Sequence, residues 1–290
     1  MMYHISNGKI NLTVSSLGAQ MQSLCLDEQE YLWSGDKTYW GGKAPNLFPF
    51  IGRLTQGQYR YKGQKYKMDI HGFAKDKEFE LSEQTESKLT LQLEDDGDTY
   101  SMYPFHFVFR ISYEIADTSV AITYYVENRS EERMYFGIGG HPGFKVPLEE
   151  GKKFEDYYLS FEEQHVPTRV GHTESCFLSG VDKDFLLKDG NSIPLVHTMF
   201  DDDAIVLKNM AGKVTLMSDS GKRKIAISYP DMHYLGIWHR PHTDAPYVCI
   251  EPWTSLPSRQ DVIEDIQYKS DTINLDAGKT YQNKWSIELS

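Results

Sequence analysis

Apolar and polar residues alternate in short runs along most of the chain, and the runs are bounded by Gly, Asp and Asn. Residues 11–14 and 21–26 show this first, and it recurs over 204–208, 214–217, 224–229, 234–238 and 280–289. A period of two sends successive side chains to opposite faces, so each run predicts a strand packed on one side. Residues 58–66 read as a polar hairpin turning at Lys62-Gly63, and 105–128 as two long strands joined near Asp117-Thr118. No window carries the period of a long amphipathic helix, and 19 tyrosines and 14 phenylalanines suit pleated surfaces. Many closely spaced strands predict an all-β fold, a sandwich or barrel. With no linker, repeat or charge block to divide it, 1–290 is expected to be a single domain. The turn-rich stretch 166–199 is expected to run over the surface and help wall a site.

Charge narrows the partners. Acidic residues outnumber basic ones by 42 to 30, a net −12, which argues against nucleic acid or an anionic membrane and favours a small ligand. Three cysteines without CxxC spacing suggest neither a disulfide framework nor a cysteine zinc site. A start without a basic, then apolar segment, and the lack of any run of about 18 apolar residues, lead us to expect a soluble, cytoplasmic protein.

Candidate chemistry sits where backbone punctuation interrupts apolar runs. In 247–257 a carboxylate precedes Pro252, which lacks an amide donor, so a strand is expected to stop at Glu251. Alternation places Glu251 on a face with Cys249 and Tyr247, while Val248 and Ile250 point the other way. In isolation the ordinary role of such an acid is solvated or ion-paired. Arg53 follows Gly52 in a proline-bounded apolar segment and needs a partner; a buried salt bridge is the favoured structural reading. His71 ends a hairpin strand beside Gly72, which would let a ligand approach the backbone. His141 lies among four glycines and two prolines and is either a neutral core histidine or a side chain against which a flat ligand lies. One carboxylate of Asp201, Asp202 and Asp203, at a strand mouth, suits sugar hydroxyls. The loop holding His239 and His242 is expected at the rim beside Glu251. Walker, GxGxxG and GxSxG motifs are absent, and so is HExxH or HxH spacing. His71, His141 and Glu251 have the types of a two-histidine, one-carboxylate site, but the spacing gives no reason to expect a metal or any cofactor.

In order along the chain, NLFPFIGRL, IHGFAKDKEF, GGHPGFKVPL, DDDAIVLK and CIEPWTSLP resemble the aldose 1-epimerase (galactose mutarotase-like) family, in particular its LacX-like branch. The resemblance runs from Ser16 to the strand around Trp285. It implies a β-supersandwich with few short helices that binds an aldose in a cleft and interconverts its α and β anomers without a cofactor. Glu251 then falls on the catalytic carboxylate and His141 on the acid histidine. Arg53, His71 and either Asp202 or Asp203 fall on substrate-binding positions. The chain departs from the family's pattern at two places: His141 is followed by Pro142-Gly143-Phe144, and no equivalent of the family's binding glutamine appears near 234–238.

Mutarotation moves a proton off the anomeric hydroxyl and another onto the ring oxygen, so two groups are expected on opposite sides of C1. Glu251 is expected to be the base and a protonated His141 the acid, with both pKa values near working pH and Glu251 partly desolvated by Cys249, Tyr247 and Trp253. A hexose-6-phosphate mutarotase, its phosphate held by Lys75, Arg53 or Lys77, is the first alternative. A non-catalytic carbohydrate-binding or regulatory sandwich is the second. A glycosidase would need two flanking acids, and only Glu251 qualifies.

Overall fold

The computed structural model describes residues 1–290. Its two large sheets are built from antiparallel neighbours. The first runs in the order Ser192–Pro194, Tyr158–Phe161, Lys213–Met217, Ile225–Ser228, Thr280–Leu289, Ser119–Asn128, Phe107–Ala116, Lys88–Glu94, Glu80–Gln84. The second runs Lys183–Asp184, Thr168–Arg169, Ile205–Lys208, Tyr234–Trp238, Tyr247–Trp253, Gly139–Gly140, Asn46–Leu47, with Gly143–Lys145 also paired to Tyr247–Trp253. One apolar cluster of 65 buried residues draws on both, from Phe109 and Ile122 in the first sheet to Leu235, Val248 and Ile250 in the second. That is a sandwich, as the alternation implies. A four-stranded sheet, Met2–Ser6 to Gln29–Glu30, adds Ile10, Leu12 and Val14 to the same core. The only α-helix is Gly97–Met102, capped by Asp96.

The long hairpin turns where expected, with Ala116 opposite Ser119. The strand expected to stop at Glu251 instead runs through Pro252 to Trp253, and all seven of its residues are buried. The register supplies the reason. The amides of Ile250 and Thr254 donate to Pro142 and Ile138, so the missing Pro252 amide would point between them. There the neighbouring strand is broken between Gly139–Gly140 and Gly143–Lys145, and a donor would find no regular ladder to join. His141 stands in that break.

Glycine clears the way for packing here. A Cβ on Gly140 would lie 2.6 Å from the Trp285 ring, and one on Gly139 would lie 2.6 Å from that of Trp253. Gly139 and Gly140 therefore make room for tryptophans of the chain itself. Gly72 is corrected likewise: at φ +73 its Cα faces the Phe48 carbonyl, 2.2 Å from where a Cβ would sit, so the close approach is to the protein's own backbone.

The candidate active site

Glu251 points from the middle of a central strand. Its cross-strand neighbour is Gly236, over which the Trp253 ring lies, 2.8 Å from a hypothetical Cβ. Alternation holds around it: Val248 and Ile250 join the main core, while Tyr247 and Cys249 join Trp33 and Ala245 in a separate cluster against Trp40 and Trp238. Glu251 is 1% exposed and His141 9%. His141 Nε2 lies 3.2 Å from Glu251 Oε2.

Both open on a cavity of about 330 Å³, also lined by Arg53, His71, Asp202 and Asp203. Six side chains selected from sequence thus meet at one place, in a volume suited to a small ligand. Asp201 is not among the lining residues; it accepts from the His242 amide and pairs with its ring. Asp203, at φ +71, binds the Ala204 amide through one oxygen and the Cys176 thiol through the other, 3.0 Å away. Arg53 is exposed and pairs with no carboxylate, so the buried salt bridge is not found. Lys75 reaches the cavity although it also pairs with Asp76, whereas Lys77 pairs with Asp98 and does not line it.

The expectation of two groups on opposite sides of the sugar is overturned. Glu251 and His141 touch, so both address a ligand from one wall. The loop of His239 and His242 is also misplaced by the sequence reading. His239 is buried against Phe154, Phe200 and Tyr247, with its ring 3.1 Å from that of His197, and neither histidine lines the cavity.

Burial governs the protonation of the pair. It holds the Glu251 carboxyl well above the usual range, with the nearby Asp203 charge acting the same way. Burial pushes His141 down to about 4, partly opposed by a backbone hydrogen bond and by Asp203. Both shifts favour the uncharged forms, a carboxylic acid beside an imidazole, and disfavour the imidazolium expected from sequence. His71 is also pushed well below its ordinary value, by burial first and then by His141, Lys75 and Arg53. Its Nδ1 accepts from the Gly52 amide at 3.1 Å, which leaves Nε2 as the donor.

Lining residues not singled out from sequence include two tryptophans, a histidine and a cysteine. Trp40 stacks on His141 with centroids 5.0 Å apart, and Trp238 meets the same ring edge-on at 5.8 Å. His172 and Cys176 arrive from the 166–199 excursion, which does help wall the cavity. The run Trp40-Gly41-Gly42 held a signal, since a Cβ on Gly42 would sit 2.5 Å from the Trp40 ring and bar its position. Among groups able to ligate a metal, donor atoms within 4.8 Å of one another belong to His141, Cys249 and Glu251; His71, considered from sequence, is not of this set.

The aldose 1-epimerase family profile matches residues 1–288. The plasmid-borne protein LacX of Lactococcus lactis subsp. lactis is 30% identical over 291 residues, covering 96% of this chain and 97% of its own. The structure of a galactose mutarotase related enzyme from Lactobacillus acidophilus is 33% identical, with TM-score 0.95 over 100% of this chain and 97% of the other. A galactose mutarotase-like protein from Lactobacillus casei ATCC 334 is 34% identical, with TM-score 0.95 and 100% coverage of both chains. By profile, by sequence and by a shared β-supersandwich, the chain belongs to the aldose 1-epimerase family.

Proposed function

We propose that the protein, acting as one domain over 1–290, is a mutarotase that interconverts the α and β anomers of an aldose through Glu251 and His141. The observation that carries this is the 3.2 Å approach of His141 Nε2 to Glu251 Oε2 on the cavity wall, not aligned as a hydrogen bond, with that oxygen and His141 Nδ1 both buried and without a hydrogen bond. Buried polar atoms left unpaired are costly, and a polar ligand that completes them relieves that cost. O1 and O5 of a pyranose are both bonded to C1, closer together than two hydrogen-bonded atoms. Two touching side chains therefore reach both from one side.

The pair needs one proton between its two members. Burial favours holding it on Glu251. As the sugar hydroxyls enter, the proton crosses to His141, leaving a carboxylate beside an imidazolium. Glu251 takes the O1 proton while His141 gives one to O5; the C1–O5 electrons go to O5, and C1=O1 forms. Rotation about C1–C2 and the reverse transfers close the other anomer. Arg53, the His71 Nε2–H and the Asp202 or Asp203 carboxylate orient the hydroxyls, and Arg53 and His71 offset negative charge on the opening ring. Trp40 and Trp238 hold the His141 ring in plane and keep water from it.

Freshly dissolved α-glucose or α-galactose, followed by polarimetry or NMR, tests the reading: equilibration no faster than buffer at micromolar protein would reject it. A phosphorylated hexose is the second reading, favoured by the unpaired Arg53 and by Lys75 on the cavity wall. Faster equilibration of glucose 6-phosphate than of glucose would select it.

A further inference from the structure

Glu251 and His141 have a third neighbour. Cys249 stands two residues before Glu251 on the same strand face, and its Sγ, a His141 ring nitrogen and a Glu251 oxygen all lie within 4.8 Å of one another. All three residues are buried, and Cys249 is a free thiol. Glycines stand beside this group in both adjoining strands, Gly143 opposite Cys249 and Gly236 opposite Glu251, and tryptophan rings, Trp40 over the first and Trp253 over the second, pack where their side chains would be.

We propose that His141, Cys249 and Glu251 form a site for a thiophilic divalent cation, with Zn²⁺ the best match, and that the bound ion switches the acid/base pair off. Nitrogen, sulfur and oxygen donors from three side chains are a set zinc accepts, and two of the three, His141 and Glu251, line the cavity, the side from which a water would complete the coordination. Charge favours the match as well. On binding, the thiol and the carboxyl each release a proton to solvent, and the resulting thiolate and carboxylate cancel the two charges of the ion. A buried site of no net charge avoids the penalty that an isolated ion would meet there. The ion then occupies the Glu251 oxygen and the His141 nitrogen that proton transfer requires. The switching half of this proposal rests on the mutarotase reading, whereas the binding half does not.

Co²⁺ replaces zinc as the probe, because it takes the same ligands and a coordinated thiolate gives it a near-ultraviolet charge-transfer band. Titration of the full chain is expected to saturate at one ion with that band, and excess Zn²⁺ to abolish it. The Cys25→Ser/Cys176→Ser double variant, with Cys249 its one thiol, is expected to keep the band, and Cys249→Ser to lose it. Glu251→Gln is expected to bind Co²⁺ at least about tenfold more weakly. Absence of saturable binding in the wild type, absence of the band in the double variant, or its survival in Cys249→Ser would each overturn the site. Zinc is expected to stop anomer equilibration and a chelator to restore it; full activity in the zinc-saturated protein would overturn the switch. A wild type with no mutarotase activity would defeat the functional reading while the cobalt spectrum still decides on the site.

Discussion

His141 and Glu251, far apart along the chain, come within 3.2 Å because the strand beside Tyr247–Trp253 breaks at residues 141 and 142. The break turns His141 toward the same face as Glu251, and Trp40 closes over the imidazole at 5.0 Å. Neither side chain has a stronger partner than the other.

Removing either group should abolish the activity and leave the fold. Glu251→Gln and His141→Asn keep size and polarity but cannot relay a proton. Each is expected to lower kcat/KM for anomer equilibration by about 10²–10⁴, the range for loss of a general acid or base. Circular dichroism should match the wild type. Retention of most activity by both variants would exclude the pair.

Activity should follow the number of protons on the pair. With His141 pushed down to about 4 and Glu251 well above the usual carboxylate range, one proton is held across a broad interval. A kcat/KM profile is expected to fall on the acid side as pH drops through about 4, where a second proton is taken up. On the alkaline side it should fall once pH passes the raised Glu251 value. A single inflection at about 6.5, the ordinary imidazole value, would contradict this.

The same burial carries a cost in stability. The Glu251 carboxyl ionises above about 4.3 in the unfolded chain but stays protonated in the fold, so the folded state holds more protons and stability falls as pH rises between those limits. Glu251→Gln has no such titration. It is expected to melt above the wild type at pH 8, by roughly 2–4 °C for each kcal/mol relieved, and the gain should vanish toward pH 4. An equal melting shift at both pH values would assign the effect to packing.

Gly72 is required by the Phe48 carbonyl. In Gly72→Ala the new methyl would sit 2.2 Å from that oxygen at φ +73, so the loop carrying His71 must move. A destabilisation of at least about 2 kcal/mol in urea is expected, together with a raised KM as His71 is displaced. Wild-type stability in this variant would mean the loop relaxes freely.

Arg53 should act on binding. Exposed, without a carboxylate partner and on the cavity wall, it costs little to remove from the fold. Arg53→Ala is expected to raise KM about tenfold with little change in melting temperature, and more for glucose 6-phosphate than for glucose if phosphate is the natural substituent. An unchanged KM for both sugars would remove it from the site.

The alternation of residues 247–250 determined which side chains face the core, because a period of two leaves no choice once one face is buried. Proline and glycine beside Glu251, His141, Arg53 and His71 marked the segments that meet at the cavity. What those residues touch was decided by register between distant strands. The passage of the strand through Pro252, the one-sided approach of His141 to Glu251, the Trp40 stack and the placing of Cys249 in donor range all depend on it. Local pattern sets which face a side chain takes, whereas contacts across a sheet depend on where the neighbouring strand breaks, and the whole packed core has to hold that break in place.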